Sequence, residues 1–270
     1  MPELPEVETT RLGLLPLLGQ TISKVVIRNA SLRWPIPGHL PQTLPGQRFL
    51  ALSRRAKYIL VECKTGTLFL HLGMSGRISL LGKDEPPAKH DHFDIHFADG
   101  RVLRLCDPRR FGAVLWVEGD PSQHVLLAAL GPEPLEDVFD GAWLHQEIRS
   151  RTAPIKNVIM DSHLVVGVGN IYASESLFRA RINPKTPANK LSKARCERLA
   201  TEIKATLREA LEAGGSSLRD FFGADGNPGY FQQAYFVYGR TGQPCRVCSA
   251  LIKTLRQGQR SSFYCACCQH

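Results

Sequence analysis

Gly131-Pro132-Glu133-Pro134 divides the chain into two kinds of pattern. Two prolines and a glycine within four residues break regular structure, and the hydrophobic period changes across them. On the N-terminal side, from Thr21 to Val117, short runs alternate with turn signals. Lys24–Arg28, Tyr58–Cys63, Thr67–Leu72, His92–Phe97 and Ala113–Val117 read as strands. Lys64-Thr65-Gly66 and Asp99-Gly100 read as turns, the second a hairpin signal. Before them, Pro5 to about Leu15 reads as a helix. Pro5 suits its first turn, Glu6 and Glu8 suit its positive end, and Pro16 stops it. Val7, Leu14, Leu15 and Leu18 are expected to face a core. On the C-terminal side the pattern is helical. Asp140 is placed to cap a helix through Arg149, Thr152 a second with Pro154 in its first turn, and Ser192 a long one that Gly214-Gly215 ends. Asn170 opens Ile171–Ala180. The fold class expected is α+β in two domains: a mostly antiparallel β-sandwich or flattened barrel with an N-terminal helix, then a helical part.

Composition narrows the class of partner. With 270 residues and 43% hydrophobic residues the chain can bury real cores, and the formal charge is +9. From Gly226 to His270 there is no Asp or Glu, while Arg240, Arg246, Lys253, Arg256 and Arg260 all fall there among Tyr and Phe residues. A folded basic surface with aromatics suits nucleic acid. The start MPELPEVETT carries acids where a signal peptide needs a basic start and an apolar run, and no apolar stretch approaches a membrane span of about 20 residues. The expectation is a cytoplasmic protein without a membrane partner.

The last 26 residues carry the sharpest local signal. Cys245-Arg-Val-Cys248 is followed after sixteen residues by Cys265-Ala-Cys267-Cys268. Each C-x2-C pair can turn two sulfurs onto one cation, and four thiolates complete a tetrahedron. The spacing fits one structural zinc ion on Cys245, Cys248, Cys265 and Cys268, with a redox pair as the other reading. Cys267 competes with its neighbours, but Cys265 and Cys268 keep the better spacing. Between the pairs a hairpin from Ala250 to Phe263 is expected, with Lys253, Arg256 and Arg260 near its tip.

Along nearly its whole length the chain resembles the bacterial formamidopyrimidine-DNA glycosylases. The matching blocks are PELPEVET at Pro2, RRAKY at Arg54, HLGMSG at His71, KHDH at Lys89, DPRRFG at Asp107, LGPEPL at Leu130, VGVGNIYASESLF at Val166, DGNPGYF at Asp225, VYGR at Val237 and the four-cysteine end. The resemblance implies a β-sandwich catalytic domain (1–130), a linker (131–138), a helix-two-turn-helix domain (139–235) with a lesion-capping loop near 214–230, and a zinc finger (236–270). DNA would lie in the cleft between the halves. It further implies a monomeric, bifunctional DNA glycosylase and abasic-site lyase. The substrate would be double-stranded DNA carrying 8-oxoguanine, a formamidopyrimidine or an abasic site.

The resemblance also assigns roles. Pro2, once Met1 is removed, bears a secondary amine. An α-amino group has a pKa of about 8 against about 10.4 for lysine, so much of it is unprotonated and nucleophilic at neutral pH. Glu3 would be the general acid/base, although a Glu at a helix start is ordinarily a solvated dipole partner. Glu6 would help hold the N-terminus. Lys57 and Arg260 would grip phosphate and assist elimination. Asn170, His71 and Tyr238 would complete a phosphate clamp, and His90 and Arg151 match DNA contacts. Met74, Arg109 and Phe111 would fill the hole left when the damaged base is flipped out, with Arg109 bonding the orphaned cytosine.

Two other functions fit parts of the pattern. One is an endonuclease VIII-type glycosylase for oxidised pyrimidines, which lacks the Met-Arg-Phe triad. The other is a zinc-ribbon DNA-binding protein without catalysis, which gives no reason for Pro2-Glu3.

Overall fold

The computed structural model describes residues 2–82, 85–216 and 231–270, with only the backbone of 232 and 233. The segment 217–230, which holds most of the expected lesion-capping loop, lies outside the described residues. The chain divides into two compact units. The first holds residues 2–128 with 213–216, and the second holds 129–212 with 231–270.

In the first unit, helix α1 (Leu4–Gly13) precedes strand β1 (Ile22–Ile27), the short helix α2 (Leu40–Thr43), and strands β2 (Ala51–Arg55), β3 (Tyr58–Cys63), β4 (Gly66–His71), β5 (Arg77–Leu81), β6 (Asp91–Phe97), β7 (Val102–Cys106) and β8 (Ala113–Val117), and one helical turn, α3 (Val125–Ala128), ends it. Two antiparallel sheets form, in strand orders β1-β6-β7-β5 and β2-β3-β4-β8. One apolar core serves both sheets. Val25, Phe93, Ile95, Leu103 and Leu105 come from the first, and Ile59, Val61, Leu68, Leu70 and Val114 from the second. The period-2 alternation read in the sequence is what points these side chains inward. Crossing from sheet to sheet happens three times: β1 leads into β2, β4 into β5, and β7 into β8.

Helix α1 stops at Gly13 and a 3-10 turn follows over Leu15–Leu17. The expected core face is corrected by that turn. Leu4, Val7, Leu14 and Leu17 are buried, while Leu15 and Leu18 are exposed. Pro16 tightens the chain there, so Leu17 takes the inward position that an unbroken helix would have given Leu18.

The second unit contains α4 (Gly141–Ile148), α5 (Ile155–Ile159), α6 (Asn170–Arg179), α7 (Lys193–Glu212) and the hairpin β9 (Lys253–Gln257) with β10 (Arg260–Tyr264). Asp140 caps α4, its side chain accepting the Trp143 N–H at 2.7 Å. Thr152 does not cap α5. That helix starts after an extended Pro154, and the Ile155 N–H is taken by the Thr186 carbonyl. Gly141 sits where α4 meets α7, because a Cβ there would lie 2.2 Å from Cα of Glu197. After α7, Gly214 and Gly215 are both left-handed, as a glycine stop requires. Lys253 pairs with Tyr264 at the base of the hairpin, and Arg256 and Arg260 flank its turn, so Lys253 is not near the tip. No helix among the described residues is long and apolar enough to cross a membrane.

Candidate active site and metal centre

In the first unit Pro2 is buried and leads directly into α1. Glu3, 2% exposed, is the residue before the first turn. Its backbone N–H donates to Glu6 Oε2 at 2.8 Å, and Glu6 Oε1 accepts the N–H of Ser216 at 2.8 Å. The Glu6 carboxylate therefore fixes the backbone at the N-terminus and ties it to the segment after α7.

Lys57 is the second residue of a two-residue hairpin turn between β2 and β3. Ala56 before it is left-handed (φ 54°), a conformation that costs a non-glycine residue about 1–2 kcal/mol. Arg54 stabilises this turn. Its Nη1 donates to the Ala56 carbonyl at 2.9 Å, and its Nε lies 3.2 Å from Glu8 of α1. Glu8 also pairs with Arg11 at 2.7 Å. The turn that carries Lys57 is thus bolted to the helix that Glu3 precedes.

His71 ends β4 opposite Tyr58 in register, beside the Lys57 turn. Burial, with the charges of Lys57 and Arg33, lowers its pKa to about 4. Its Nδ1 accepts the Gly73 N–H at 3.1 Å. The neutral ring therefore carries its proton on Nε2, which is left as a donor. His71, Met74 and Phe111 line one pocket with Arg33 and Gly73. Met74 is 39% and Phe111 46% exposed, so neither is a core residue. The Arg109 guanidinium stands 5.1 Å from the Phe111 ring centre. Gly73 (φ 61°) makes this possible, since a Cβ there would lie 2.3 Å from the carbonyl carbon of Phe111. The His90 carbonyl accepts the Asp107 N–H at 2.9 Å, which places His90 at the root of the same turn.

In the second unit Asn170 opens α6, and its Oδ1 accepts from Lys156 Nζ at 2.6 Å. Lys156 is 1% exposed and reaches β10 as well, at the Ser261 carbonyl (2.9 Å) and Ser262 Oγ (2.8 Å). Arg260, exposed, is the next residue along β10. The Tyr238 ring is 5.0 Å from that of Phe263 on the same strand. The backbone around Tyr238 is held by Glu175, whose carboxylate accepts the N–H groups of Phe236, Val237 and Tyr238 at 2.8 to 3.0 Å. Burial pushes the Glu175 carboxyl up, against three N–H groups that favour its charged form. Arg151 is ion-paired with Asp161 at 2.8 Å.

The sulfurs of Cys245, Cys248, Cys265 and Cys268 all lie within 4.8 Å of one another, the Cys245–Cys268 and Cys248–Cys265 distances being 3.9 and 3.4 Å. Zn–S bonds of about 2.3 Å at tetrahedral angles put sulfurs about 3.8 Å apart, so the four cysteines fit zinc. Cys267 is exposed and outside the group.

Three family models cover the chain: the formamidopyrimidine-DNA glycosylase N-terminal domain over residues 1–114, the H2TH domain of the same enzymes over 130–222, and the zinc finger found in FPG and IleRS over 242–270. The chain belongs to the formamidopyrimidine-DNA glycosylase family. The formamidopyrimidine-DNA glycosylase of Methylobacillus flagellatus is 67% identical over 269 residues, covering 100% of this chain and 96% of that one. The Janthinobacterium enzyme of the same name is 55% identical, with both chains fully covered. Among solved structures, MutM (Fpg) of Thermus thermophilus aligns with a TM-score of 0.90 at 38% identity, covering 99% and 98% of the two chains. Lactococcus lactis Fpg in complex with abasic-site DNA aligns at 0.92 and 34% identity, covering 99% of each. Membership makes this chain a DNA glycosylase of DNA repair with a zinc finger. Lys156, Glu175, Ser75 and Asp107 of this glycosylase escaped the sequence reading. The only signal for Lys156 and Glu175 was a charge inside an apolar helical stretch, and for the other two their place in the HLGMSG and DPRRFG blocks.

Proposed function

We propose that this glycosylase excises oxidised purines, 8-oxoguanine and formamidopyrimidines, from duplex DNA and nicks the strand at the resulting site. The observation that carries the proposal is the pairing of two features in one unit. A proline-glutamate N-terminus is fixed through Glu6, and an exposed Met74–Arg109–Phe111 group stands on two adjoining turns. The first is suited to covalent chemistry at a sugar, the second to filling the space of an extruded base.

With Met1 removed, the Pro2 nitrogen attacks C1′ and the bond from C1′ to the base breaks. Glu3 delivers the proton that the sugar ring oxygen or the leaving base needs. The proline nitrogen gives up its proton, the C1′–O4′ bond opens as O4′ is protonated, and because the amine is secondary the ring-opened adduct is an iminium with a fixed positive charge. That charge acidifies the C2′ hydrogen. Its loss expels the 3′ phosphate, and a second elimination expels the 5′ phosphate, with Lys57 and Arg260 assisting. His71 through Nε2–H, Asn170 through its amide, Tyr238 and the basic residues of the zinc hairpin supply phosphate contacts, and His90 supports the DNA surface. Arg151, held by Asp161, is assigned a lesser part. Zinc at the four cysteines organises the hairpin that presents Arg260. The protein would work as a cytoplasmic monomer on double-stranded DNA.

Borohydride trapping tests the reading. Duplexes carrying 8-oxoguanine opposite cytosine, thymine glycol or an abasic site are incubated with the processed protein and the reductant. The oxidised-purine and abasic duplexes should crosslink to the N-terminal residue, and retention of Met1 should abolish the crosslink. Glu3→Gln should bind DNA while base release falls sharply. A full-yield crosslink that survives a blocked N-terminus and maps to Lys57 would overturn the mechanism. Preference for thymine glycol would overturn the substrate class.

A further inference from the structure

Met74 lies on the crossover from β4 to β5, and Arg109 and Phe111 lie on the crossover from β7 to β8. The two turns are joined by more than proximity. The Ser75 hydroxyl donates to Asp107 Oδ1 at 2.8 Å and accepts the Arg109 N–H at 3.1 Å. Asp107 Oδ2 accepts the Gly112 N–H at 2.7 Å. Ser75 is 8% exposed and Asp107 is fully buried. Backbone bonds anchor Asp107 in turn: its N–H donates to His90, and its carbonyl meets His92 Nε2 at 2.9 Å and the Arg110 N–H at 3.2 Å. No lysine or arginine among the described residues ion-pairs with Asp107. Its oxygens are held by these turn donors.

Each bond ends beside a residue of the triad. Ser75 follows Met74, the Arg109 N–H is bonded directly, and Gly112 follows Phe111. Arg110 is left-handed (φ 58°), so the second turn sits in a conformation that its own sequence does not favour. Turns on a sheet edge ordinarily move independently, and three side chains that must enter a base stack together gain from being held in one frame.

We propose that Ser75, acting with Asp107, is the positioning residue that makes Met74, Arg109 and Phe111 a single rigid wedge. The inference rests on the reading of those three side chains as the void-filling group. It adds that their catalytic use depends on a hydroxyl and a carboxylate that never touch the base.

The test compares base excision from an 8-oxoguanine duplex with cleavage at a pre-formed abasic site, where no base has to be unstacked. Ser75→Ala should slow excision about tenfold, the worth of a hydrogen bond to a charged group, and change abasic-site cleavage less than about twofold. The fluorescence rise of 2-aminopurine placed beside the lesion, which reports unstacking, should slow in parallel. Ser75→Thr keeps the hydroxyl and should restore excision. Asp107→Asn puts an NH2 where Ser75 or Gly112 needs an acceptor and should give the same split, so the break is reached by two routes if one variant folds poorly. Thermal midpoints accompany each variant. Met74→Ala and Phe111→Ala serve as references. If they separate the two substrates and neither Ser75→Ala nor Asp107→Asn does, the frame is not what positions the wedge and the proposal fails. If the references lose both activities equally, the wedge reading fails first and takes this proposal with it.

Discussion

Lys156 Nζ stands 2.6 Å from Oδ1 of Asn170, at the first residue of α6. An ammonium donates and never accepts, so the amide oxygen must face it and the amide NH2 must face away. The same ammonium holds the Ser261 carbonyl and the Ser262 hydroxyl of β10. One buried amine thus sets the donor face of a helix start and the position of the strand that carries Arg260.

Lys156→Met should therefore lower stability and DNA affinity together. Of the three acceptors that lose their donor only Ser262 Oγ is fully buried, and an unsatisfied buried acceptor costs about 1–3 kcal/mol. In the Lys156→Met background, Asn170→Ala should cost little further affinity, because the amide has already lost its orientation. Binding isotherms of the two single variants and the double variant check this. Full additivity would separate Asn170 from Lys156.

Cys248→Ser should release zinc and unfold the segment from Cys245 to Cys268. The apolar cluster there is small: Phe178, Val237, Ile252 and the buried sulfurs of Cys245 and Cys265. Structural zinc supplies on the order of 10 kcal/mol to such domains. Metal content and DNA affinity measured on the variant check this, with both expected to collapse. Cys267→Ser should leave zinc content unchanged, since Cys267 stands outside the group.

His71 should stay neutral through the physiological range. Its folded pKa of about 4 lies below the ordinary 6.5, chiefly through burial and then through Lys57 and Arg33. As pH falls below about 6.5 the unfolded chain takes up this proton and the folded chain does not. The contribution of His71 to stability is thus intact above that pH and declines down to about 4. An NMR titration of the ring should show its midpoint near 4 and the Nε2–H tautomer above it. A midpoint above 6 would refute the donor assignment.

Asp94 on β6 gives a second pH test, this one of a buried ion pair. It is fully buried, bonded by Arg28 and by Arg104 through two nitrogens. Burial raises its pKa, but the hydrogen bonds and charges of the two arginines outweigh it, and the net shift is downward. Its stabilisation is present above the unfolded value near 4 and is lost as pH falls through the lower folded value. Asp94→Asn takes the carboxylate from Arg28 and leaves Arg104 with only Asp91, 3.7 Å away, and the Glu85 and Pro86 carbonyls, so it should cost up to about 3 kcal/mol. The loss should shrink in acid. Chemical denaturation of both proteins at neutral and low pH checks it.

Much of the fold was legible because its elements are locally encoded. Asp140 caps α4 and Gly214 ends α7 where side-chain chemistry and backbone freedom require it. The misreadings came from places where packing overrode local preference. Thr152 offered a cap, but the Thr186 carbonyl already met the orphan N–H that a cap would have helped to organise. Leu15 and Leu18 fit a helical face, yet the 3-10 turn at Pro16 rotated the chain past them.

The candidate site divides the same way. The four cysteines were readable from sequence, because their chemistry lies in residue type and short spacing, two sulfurs per C-x2-C turn, whereas Pro2 and Glu3 take their proposed roles from the family resemblance. Ser75 and Lys156 were not readable. A serine in a turn and a lysine in a short helix are ordinary residues until something distant stands beside them. What stands beside them is set by strand register. His71 pairs with Ala113 and Arg77 with Cys106, so the Met74 turn and the Phe111 turn emerge side by side. Lys156 meets Ser262 across 106 residues of chain. Register follows from burying the correct face of every strand at once, a condition on whole sheets that no local stretch contains. The sequence by itself determined which chemical groups this glycosylase owns, and the tertiary structure decided which of them act as one.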